Sequence, residues 1–96
     1  MSTQADPGTQ LVTVRYFAGA RAAAGVEEET VRIARPGGEP VTVADVLAAV
    51  LALHDGRLAR VVPACSFLLD GIAVHDHAVP VPEHAELDVL PPFAGG

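Results

Sequence analysis

The chain has 96 residues, half of them hydrophobic and 4% aromatic, and a formal net charge of −6 at pH 7. This length suits one small domain with a core of Val, Leu and Ala, and it excludes two separate cores. Twelve acidic residues against six cationic ones argue against a nucleic-acid-binding protein, which needs a basic surface. The apolar runs are too short to span a membrane. A single cysteine, Cys65, excludes an internal disulfide and suits a reducing compartment.

The first predicted elements are a polar leader and two strands. Residues 1–10 lack the basic start and apolar run of a signal peptide, so we expect a loose leader on a cytoplasmic protein. Residues 11–17 alternate in polarity, which predicts a strand. Its inward residues are Val12, Val14 and Tyr16, and its outward residues are Leu11, Thr13, Arg15 and Phe17. Residues 18–25 form a small-residue connection with one helical turn, and residues 28–34 alternate as a second strand.

The middle of the chain changes to a helical period. After the loop at residues 36–40, apolar positions recur at steps of three and four residues. They are Val43, Val46, Leu47, Val50, Leu51 and His54. Thr42 and Asp45 suit the helix start, and Gly56 suits a C-terminal cap. A turn over residues 57–62 is expected to follow.

Three short segments predict the remaining strands. Residues 66–69 form a third strand, Asp70-Gly71 a turn, and residues 72–74 a short fourth strand. Residues 75–84 are a polar loop. Residues 86–90 alternate as a final strand. Its inward residues are Leu87 and Val89, and its outward residues are Glu86, Asp88 and Leu90, with Glu86 and Asp88 expected to be solvated.

These elements predict an α+β domain over residues 11–90, with a mixed sheet of four to five strands packed on one main helix in the order ββαββ. The opposite face of the sheet is expected to be open. If the first and last strands are neighbours, Phe17 and Leu90 form an apolar patch beside Arg15 on that face, which is typical of a partner-binding surface. The alternative is that the leader covers this patch.

The last six residues, 91–96, predict an extended tail. Pro91 and Pro92 end the final strand and hold the chain extended, while Gly95 and Gly96 fit a narrow slot in another protein. An extended tail of this length reaches about 20 Å. We expect it to present the Gly96 carboxylate to a partner's active site. The alternative is a frayed chain end.

Other candidates for chemistry are weak. His75, His77 and His84 lack the fourth ligand of a structural zinc site, so we predict a solvated loop and no metal. Cys65 is expected to be a buried small hydrophobe, and we identify no catalytic residue. Arg21 is expected to hold the 18–25 connection against acidic neighbours. No Gly-rich loop with Lys is present, so the chain should not bind ATP unaided.

The stretch from Val14 to Ala18, Arg21, the mid-chain helix and the end from Leu90 to Gly96, with Phe93 and Ala94 in the tail, resemble a known family. The chain is similar to the small subunit of molybdopterin synthase (MoaD-like), one of the ubiquitin-like β-grasp sulfur carriers that also include ThiS-like proteins. The resemblance covers residues 11–96. It implies a carrier without catalytic residues or bound cofactor.

The resemblance also implies the chemistry and the partners. An E1-like adenylyltransferase (MoeB-like) would use ATP to adenylate Gly96, and a sulfur donor protein would convert it to a thiocarboxylate. The large synthase subunit (MoaE-like) would accept the tail and pass the sulfur to a pterin precursor. Two alternatives stay open: a sulfur carrier for thiamine, cysteine or a secondary metabolite, and a ubiquitin-like protein modifier.

Overall fold

The computed structural model describes residues 8–92, which form a mixed five-stranded sheet and three helices. The strands are β1 (Thr9–Tyr16), β2 (Glu28–Ala34), β3 (Ser66–Leu69), β4 (Ile72–Ala73) and β5 (Glu86–Leu90). The helices are α1 (Ala18–Ala24), α2 (Val43–Leu53) and α3 (Gly56–Val61). The strand order in the sheet is β2-β1-β5-β3-β4. β1 is antiparallel to β2 and parallel to β5, and β3 is antiparallel to both β4 and β5. The predicted mixed sheet is confirmed, and its first and last strands are neighbours.

One face of the sheet forms the core, because β1 alternates strictly between buried and half-buried residues. Val12, Val14 and Tyr16 are buried on this face, as predicted. Leu87 and Val89 of β5 lie beside them. The buried positions of α2 cover the same face: Val43, Val46, Leu47 and Val50. Each fully buried side chain of this kind stabilises the fold by about 1.5–3 kcal/mol, so the core rests on many small apolar residues.

β1 begins at Thr9, two residues earlier than predicted, so the expected leader is too long at its inner end. Gln10 is buried, and its side-chain amide donates a 2.6 Å hydrogen bond to the carbonyl of Val81. The Arg35 amide donates to the carbonyl of Gly8 at 2.8 Å. A buried polar side chain needs a hydrogen-bond partner. The partner of the Gln10 amide, Val81, lies 71 residues away in sequence. The alternation of residues 11–17 could not predict it.

The connection after β1 is a helix of two turns, longer than the single turn predicted. α1 ends at Gly25, whose φ of 82° lies in the left-handed region that glycine adopts without strain. The Gly25 amide donates to the carbonyl of Arg21 at 2.9 Å. Ala20 is buried against the core. The small alanines of this segment allow close packing, and their intrinsic helix propensity favours the extra turn.

The start of α2 is confirmed and its predicted end is wrong. The Asp45 amide donates to Thr42 Oγ1 at 3.2 Å, and the Thr42 amide donates to Asp45 Oδ2 at 2.9 Å, forming a capping box. His54, not Gly56, is the C-terminal cap, and Gly56 is the first residue of α3. Asp55 caps α3 by accepting from the Arg57 amide at 3.0 Å, and this hydrogen bond lowers the pKa of Asp55.

The predicted turn at residues 57–62 is therefore mostly helical, and two shorter helices, α1 and α3, accompany the predicted main helix α2. α3 has only six residues and is followed by a short 3-10 turn (Val62–Ala64). A helix of that length shows no clear hydrophobic period, so the sequence pattern does not predict it. Its one fully buried residue is Leu58.

The polar loop at residues 75–84 is tied to α2 through backbone hydrogen bonds. The Val43 amide donates to Val79 at 3.1 Å and the Ala44 amide to His77 at 3.0 Å, so the loop satisfies the free N–H groups of the first helical turn. The Val81 amide donates to Val41 at 2.7 Å, and Val81 is buried. These bonds hold the loop against α2, while the side chains of His75, His77 and His84 are exposed. None of the helices in the described range has the length and apolarity needed to cross a bilayer.

Candidate docking groove beside the chain's last strand

An apolar groove of about 510 Å³ lies where β5 ends. It is lined by residues from the β1–α1 junction, the start of β3 and the end of β5: Phe17, Ala18, Gly19, Ser66, Leu90, Pro91 and Pro92. Phe17 and Leu90, which the alternation placed on one patch, both line this groove. We call it the tail-root groove. Their predicted role in binding a partner stays a prediction, but the structure places them together.

Backbone pairing fixes the two sides of the groove. β1 and β5 are paired in parallel with Tyr16 opposite Val89, and the Phe17 amide donates to the Val89 carbonyl at 3.2 Å. Leu90 is paired with Ser66 of β3. Phe17 is the last residue before α1, and its carbonyl accepts the amides of Ala20 at 3.0 Å and Arg21 at 3.3 Å. The chain therefore turns at Phe17, which corrects its predicted place inside the strand.

Ala18 follows this turn with a φ of 48°, a conformation that costs a residue with a Cβ roughly 1 kcal/mol. Its small side chain keeps the cost low. The unusual backbone lets the chain leave β1 and enter α1 within one residue, so the Phe17 side chain remains beside Leu90 at the groove.

Arg15 and Asp88 form the polar border of Phe17. Arg15 Nε donates to Asp88 Oδ1 at 2.8 Å, and a terminal guanidinium nitrogen donates to Oδ2 at 3.0 Å. Glu86 Oε2 lies 3.5 Å from the same Nε, and the guanidinium lies 5.4 Å from the centre of the Phe17 ring. The hydrogen bond to Asp88 raises the pKa of Arg15 above its already high normal value. The cluster holds a cation in place beside an apolar ring.

The structure corrects the environment of Asp88. It lies on the open face as predicted, but it is buried instead of solvated, with 7% of its surface exposed. Arg15 is paired across from it in the sheet and caps its carboxylate. Glu86, one position along the same face, stays half-buried. Alternation identifies the face of a strand, but it does not show that a long arginine covers a neighbour.

A second polar cluster lies at the margin of the core and was not predicted. The Tyr16 hydroxyl donates to Glu29 Oε2 at 2.5 Å, and His54 Nε2 lies 2.5 Å from the same oxygen. The Tyr16 and His54 rings meet edge-on with centres 5.9 Å apart. Burial, followed by the bond to Glu29, raises the pKa of Tyr16 well above its normal value. His54 was predicted as part of an apolar stripe; its imidazole instead pairs with a carboxylate.

The other sequence candidates show no shared site. Within residues 8–92, no group of three or more His, Cys, Asp or Glu side chains is arranged to hold a metal. His77 packs edge-on against Phe67 at 5.4 Å. The half-buried Cys65 donates from Sγ to the Val61 carbonyl at 3.3 Å, and burial raises its pKa, which disfavours the reactive thiolate. Arg21 is 3.7 Å from Glu27 in an exposed ion pair, in line with its predicted local role.

Pro91 and Pro92 follow β5 outside any strand. Pro91 is half-buried in the tail-root groove and Pro92 is exposed. The predicted tail residues Phe93, Ala94, Gly95 and Gly96 lie outside the described residues.

Comparisons of the sequence and of the structure with known proteins point to the same family. The ThiS family model matches residues 14–96. Small archaeal modifier protein 1 from Haloferax volcanii has a similar structure, with a TM-score of 0.72 and 27% identity over 90% of this chain and 99% of that one. A putative molybdopterin converting factor subunit 1 from Pyrococcus furiosus gives a TM-score of 0.69 and 25% identity over 88% and 99%. No curated protein sequence gives a significant match.

A third similar structure is a complex. It contains subunits 1 and 2 of molybdopterin-converting factor from Helicobacter pylori, with a TM-score of 0.63 and 19% identity over 90% of this chain and 99% of that one. At that identity the likeness shows the fold alone. The ubiquitin-like β-grasp fold expected from the resemblance is confirmed. Because the family match covers most of the sequence, the chain belongs to the ThiS family of ubiquitin-like sulfur carriers.

Proposed function

We propose that this protein is a sulfur carrier that supplies molybdopterin synthesis as the small subunit of molybdopterin synthase. In this proposal Gly96 provides the terminal carboxylate that is adenylated and converted to a thiocarboxylate. Small carriers of this family are not catalytic themselves, so the catalytic residues belong to the partner enzymes. The protein works in the cytoplasm with two such enzymes, an E1-like adenylyltransferase and the large synthase subunit, and with a sulfur donor protein.

The tail-root groove is the observation that carries the proposal. It places Phe17 and Leu90 beside Pro91, where the chain leaves the sheet. A partner that covers the groove therefore also contacts Pro91, the first residue of the tail. An apolar centre with the Arg15–Asp88 pair at its border has the composition of a docking surface. Docking and delivery of the tail then use one surface.

The proposed chemistry needs an activated terminus, because a free carboxylate has no good leaving group. The Gly96 carboxylate attacks the α-phosphorus of ATP on the adenylyltransferase, which releases pyrophosphate and leaves an acyl adenylate. The outer sulfur of a persulfide attacks the acyl carbon, and AMP leaves. A second thiol reduces the resulting acyl disulfide and releases the thiocarboxylate. ATP binds the activating enzyme, and this chain supplies the acyl group.

Mass spectrometry of the intact protein tests this proposal. We expect incubation with the activating enzyme, ATP and a sulfur donor to raise the mass by the difference between sulfur and oxygen. Deletion of Gly96 should abolish the shift while circular dichroism stays unchanged, and deletion of Ser2 is the matched control. Normal charging of the protein that lacks Gly96 would refute the proposal.

The acceptor is tested separately. The charged protein should form a dithiolene product when mixed with the large synthase subunit and a pterin precursor. Sulfur transfer only to an enzyme of thiamine, cysteine or secondary-metabolite synthesis would retain the carrier chemistry and refute the molybdopterin assignment.

A protein modifier is the second candidate, favoured by the 27% identity to small archaeal modifier protein 1. In that case the activated Gly96 would be transferred to amines of target proteins. Immunoblots of cells that express the tagged protein would show conjugates of higher mass than the free chain, and deletion of Gly96 would remove them. Their absence under conditions that give the thiocarboxylate favours the sulfur-carrier role.

A further inference from the structure

The outer edge of β2 has hydrogen-bonding groups that no other strand in residues 8–92 uses. β2 is the terminal strand of the sheet and pairs only with β1. The Tyr16 amide donates to the Glu27 carbonyl and the Arg35 amide to the Gly8 carbonyl, both at 2.8 Å. Antiparallel pairing alternates, so the odd-numbered residues of β2 direct their backbone groups to β1. The backbone groups of Glu28, Thr30 and Arg32 therefore point away from the sheet.

The side chains of the same three residues are exposed on the open face. Glu28 and Arg32 lie symmetrically about Thr30, and neither forms an ion pair or a side-chain hydrogen bond within the described part of the chain. Two features thus coincide on one edge: free backbone donors and acceptors, and opposite charges placed two residues either side of a centre.

We propose that the β2 edge binds the β2 edge of a second copy of this chain, antiparallel and with the two-fold axis at Thr30. The free backbone groups of Glu28, Thr30 and Arg32 then pair with those of Arg32, Thr30 and Glu28 of the second copy. Each Glu28 lies directly opposite an Arg32, so the dimer has two equivalent charge pairs. Opposite charges at such positions stabilise a pair of antiparallel strands.

Charge selects this register over its neighbours. A two-fold axis at Arg32 places the two arginines opposite each other, and an axis at Glu28 does the same for the two glutamates. Both arrangements are unfavourable because like charges face each other. An axis at Val31 places Arg32 opposite Thr30 and forms no charge pair. Among these symmetric pairings, only the axis at Thr30 places Glu28 and Arg32, the two charged residues of residues 28–32 on the open face, opposite each other.

The surroundings of the edge are compatible with a close neighbour. Ala48 and Ala49 of α2 lie beside Arg32 in a groove that charged side chains also line. Val26, which precedes β2, is 41% exposed and would lie opposite Ala34 of the second copy. None of the residues that line the tail-root groove belongs to β2. The dimer therefore leaves that groove open to another protein.

Charged residues on an edge strand can also prevent pairing, and this gives the experiment its opposing outcome. Sedimentation equilibrium of the purified full chain should show the mass rising from 9.9 kDa to about twice that value as the concentration increases into the millimolar range. Arg32→Glu should weaken the dimer at least tenfold, because two glutamates then face each other at both pairs. Arg60→Glu changes the charge by the same amount at an exposed position of α3, and it serves as the control.

A charge swap identifies the register. Glu28→Arg combined with Arg32→Glu should restore the dimer, with thermal melts confirming that all variants fold, since Glu28 also faces Arg15 within the chain. Thr30→Pro removes one outward N–H and should abolish the dimer without breaking the β1–β2 pairing. A protein that stays monomeric at every concentration, or a dimer that Arg32→Glu and Thr30→Pro leave intact, would overturn the proposal.

Discussion

Arg15 and Tyr16 are consecutive residues of β1, yet their side chains form polar clusters on opposite faces of the sheet. Tyr16 is 2% exposed, and its hydroxyl bonds to Glu29 at the margin of the core. The Arg15 side chain is 38% exposed, and it pairs with Asp88 on the open face beside Phe17. Water screens the Arg15–Asp88 cluster more than it screens the Tyr16–Glu29 cluster. One strand therefore contributes stability through one face and borders the proposed docking surface with the other.

The largest expected effect is on the core face. Leu87→Ala removes a fully buried side chain and should lower the free energy of unfolding by about 3 kcal/mol. Leu11→Ala on the open face is the matched control, because Leu11 is only half-buried, and it should cost about 1 kcal/mol. Urea denaturation measures both. Equal losses would mean that the two faces do not differ in the way described.

The second-largest effect is expected on partner binding, from a substitution in the tail-root groove. Phe17→Asp should weaken binding to the activating enzyme or the synthase partner at least tenfold, about 1.4 kcal/mol, while changing stability by less. Calorimetric titration measures binding and thermal melts measure folding. Ile72→Asp on β4 is the control, since Ile72 is 72% exposed and does not line the groove. Normal binding by the Phe17 variant would remove the groove from the docking surface.

Tyr16→Phe should cost about 1–2 kcal/mol, because it removes the hydroxyl that donates to Glu29. Tyr16 is the sole tyrosine, so tyrosinate absorbance reports its titration directly. Its pKa is raised in the folded protein, so between pH 10 and that higher pKa the folded state keeps a proton that the unfolded state loses. Stability should therefore fall as the pH rises above about 10. Tyr16→Phe should lose this dependence; a folded-state midpoint near 10 would contradict the assignment.

The smallest effect is expected on the open face. Asp88→Asn removes one charge of the Arg15 pair and should cost less than about 1 kcal/mol, because Arg15 is exposed enough for water to screen it. The cost should shrink further in high salt. Glu86→Gln, at the longer 3.5 Å contact, should cost still less. A loss for Asp88→Asn as large as that for Leu87→Ala would show that the open face also carries the fold.

Local patterns predicted the parts of the fold that depend on local physics. Alternation identified the buried residues of β1, and the pair Thr42 and Asp45 identified the start of α2, because a capping box needs no distant residue. The prediction that Phe17 and Leu90 lie on one patch required one further assumption, that the first and last strands are neighbours. That assumption is correct.

Contacts between distant segments explain the misses. Gln10 is buried because its amide meets Val81, and Asp88 is buried because Arg15 covers it. Nothing within a few residues of either position signals those partners. Gly56 is a local exception: the sequence pattern predicts that it ends α2, but it begins α3 because the capping residue Asp55 directly precedes it. The Gly96 site comes from the family resemblance and stays a prediction, because Gly96 lies outside the described residues.

The central position of β5 has a mechanical consequence. β5 lies between β1 and β3 and is hydrogen-bonded along both sides, whereas β4 is paired through two residues on one side. Tension applied to the chain beyond Pro92 acts along β5 and loads the bonds of both sides together, in shear. The same tension on β4 would load only its pairing with β3, which involves two residue pairs. Two sets of hydrogen bonds therefore resist a pull on the end of this domain before β5 can slide out of the sheet.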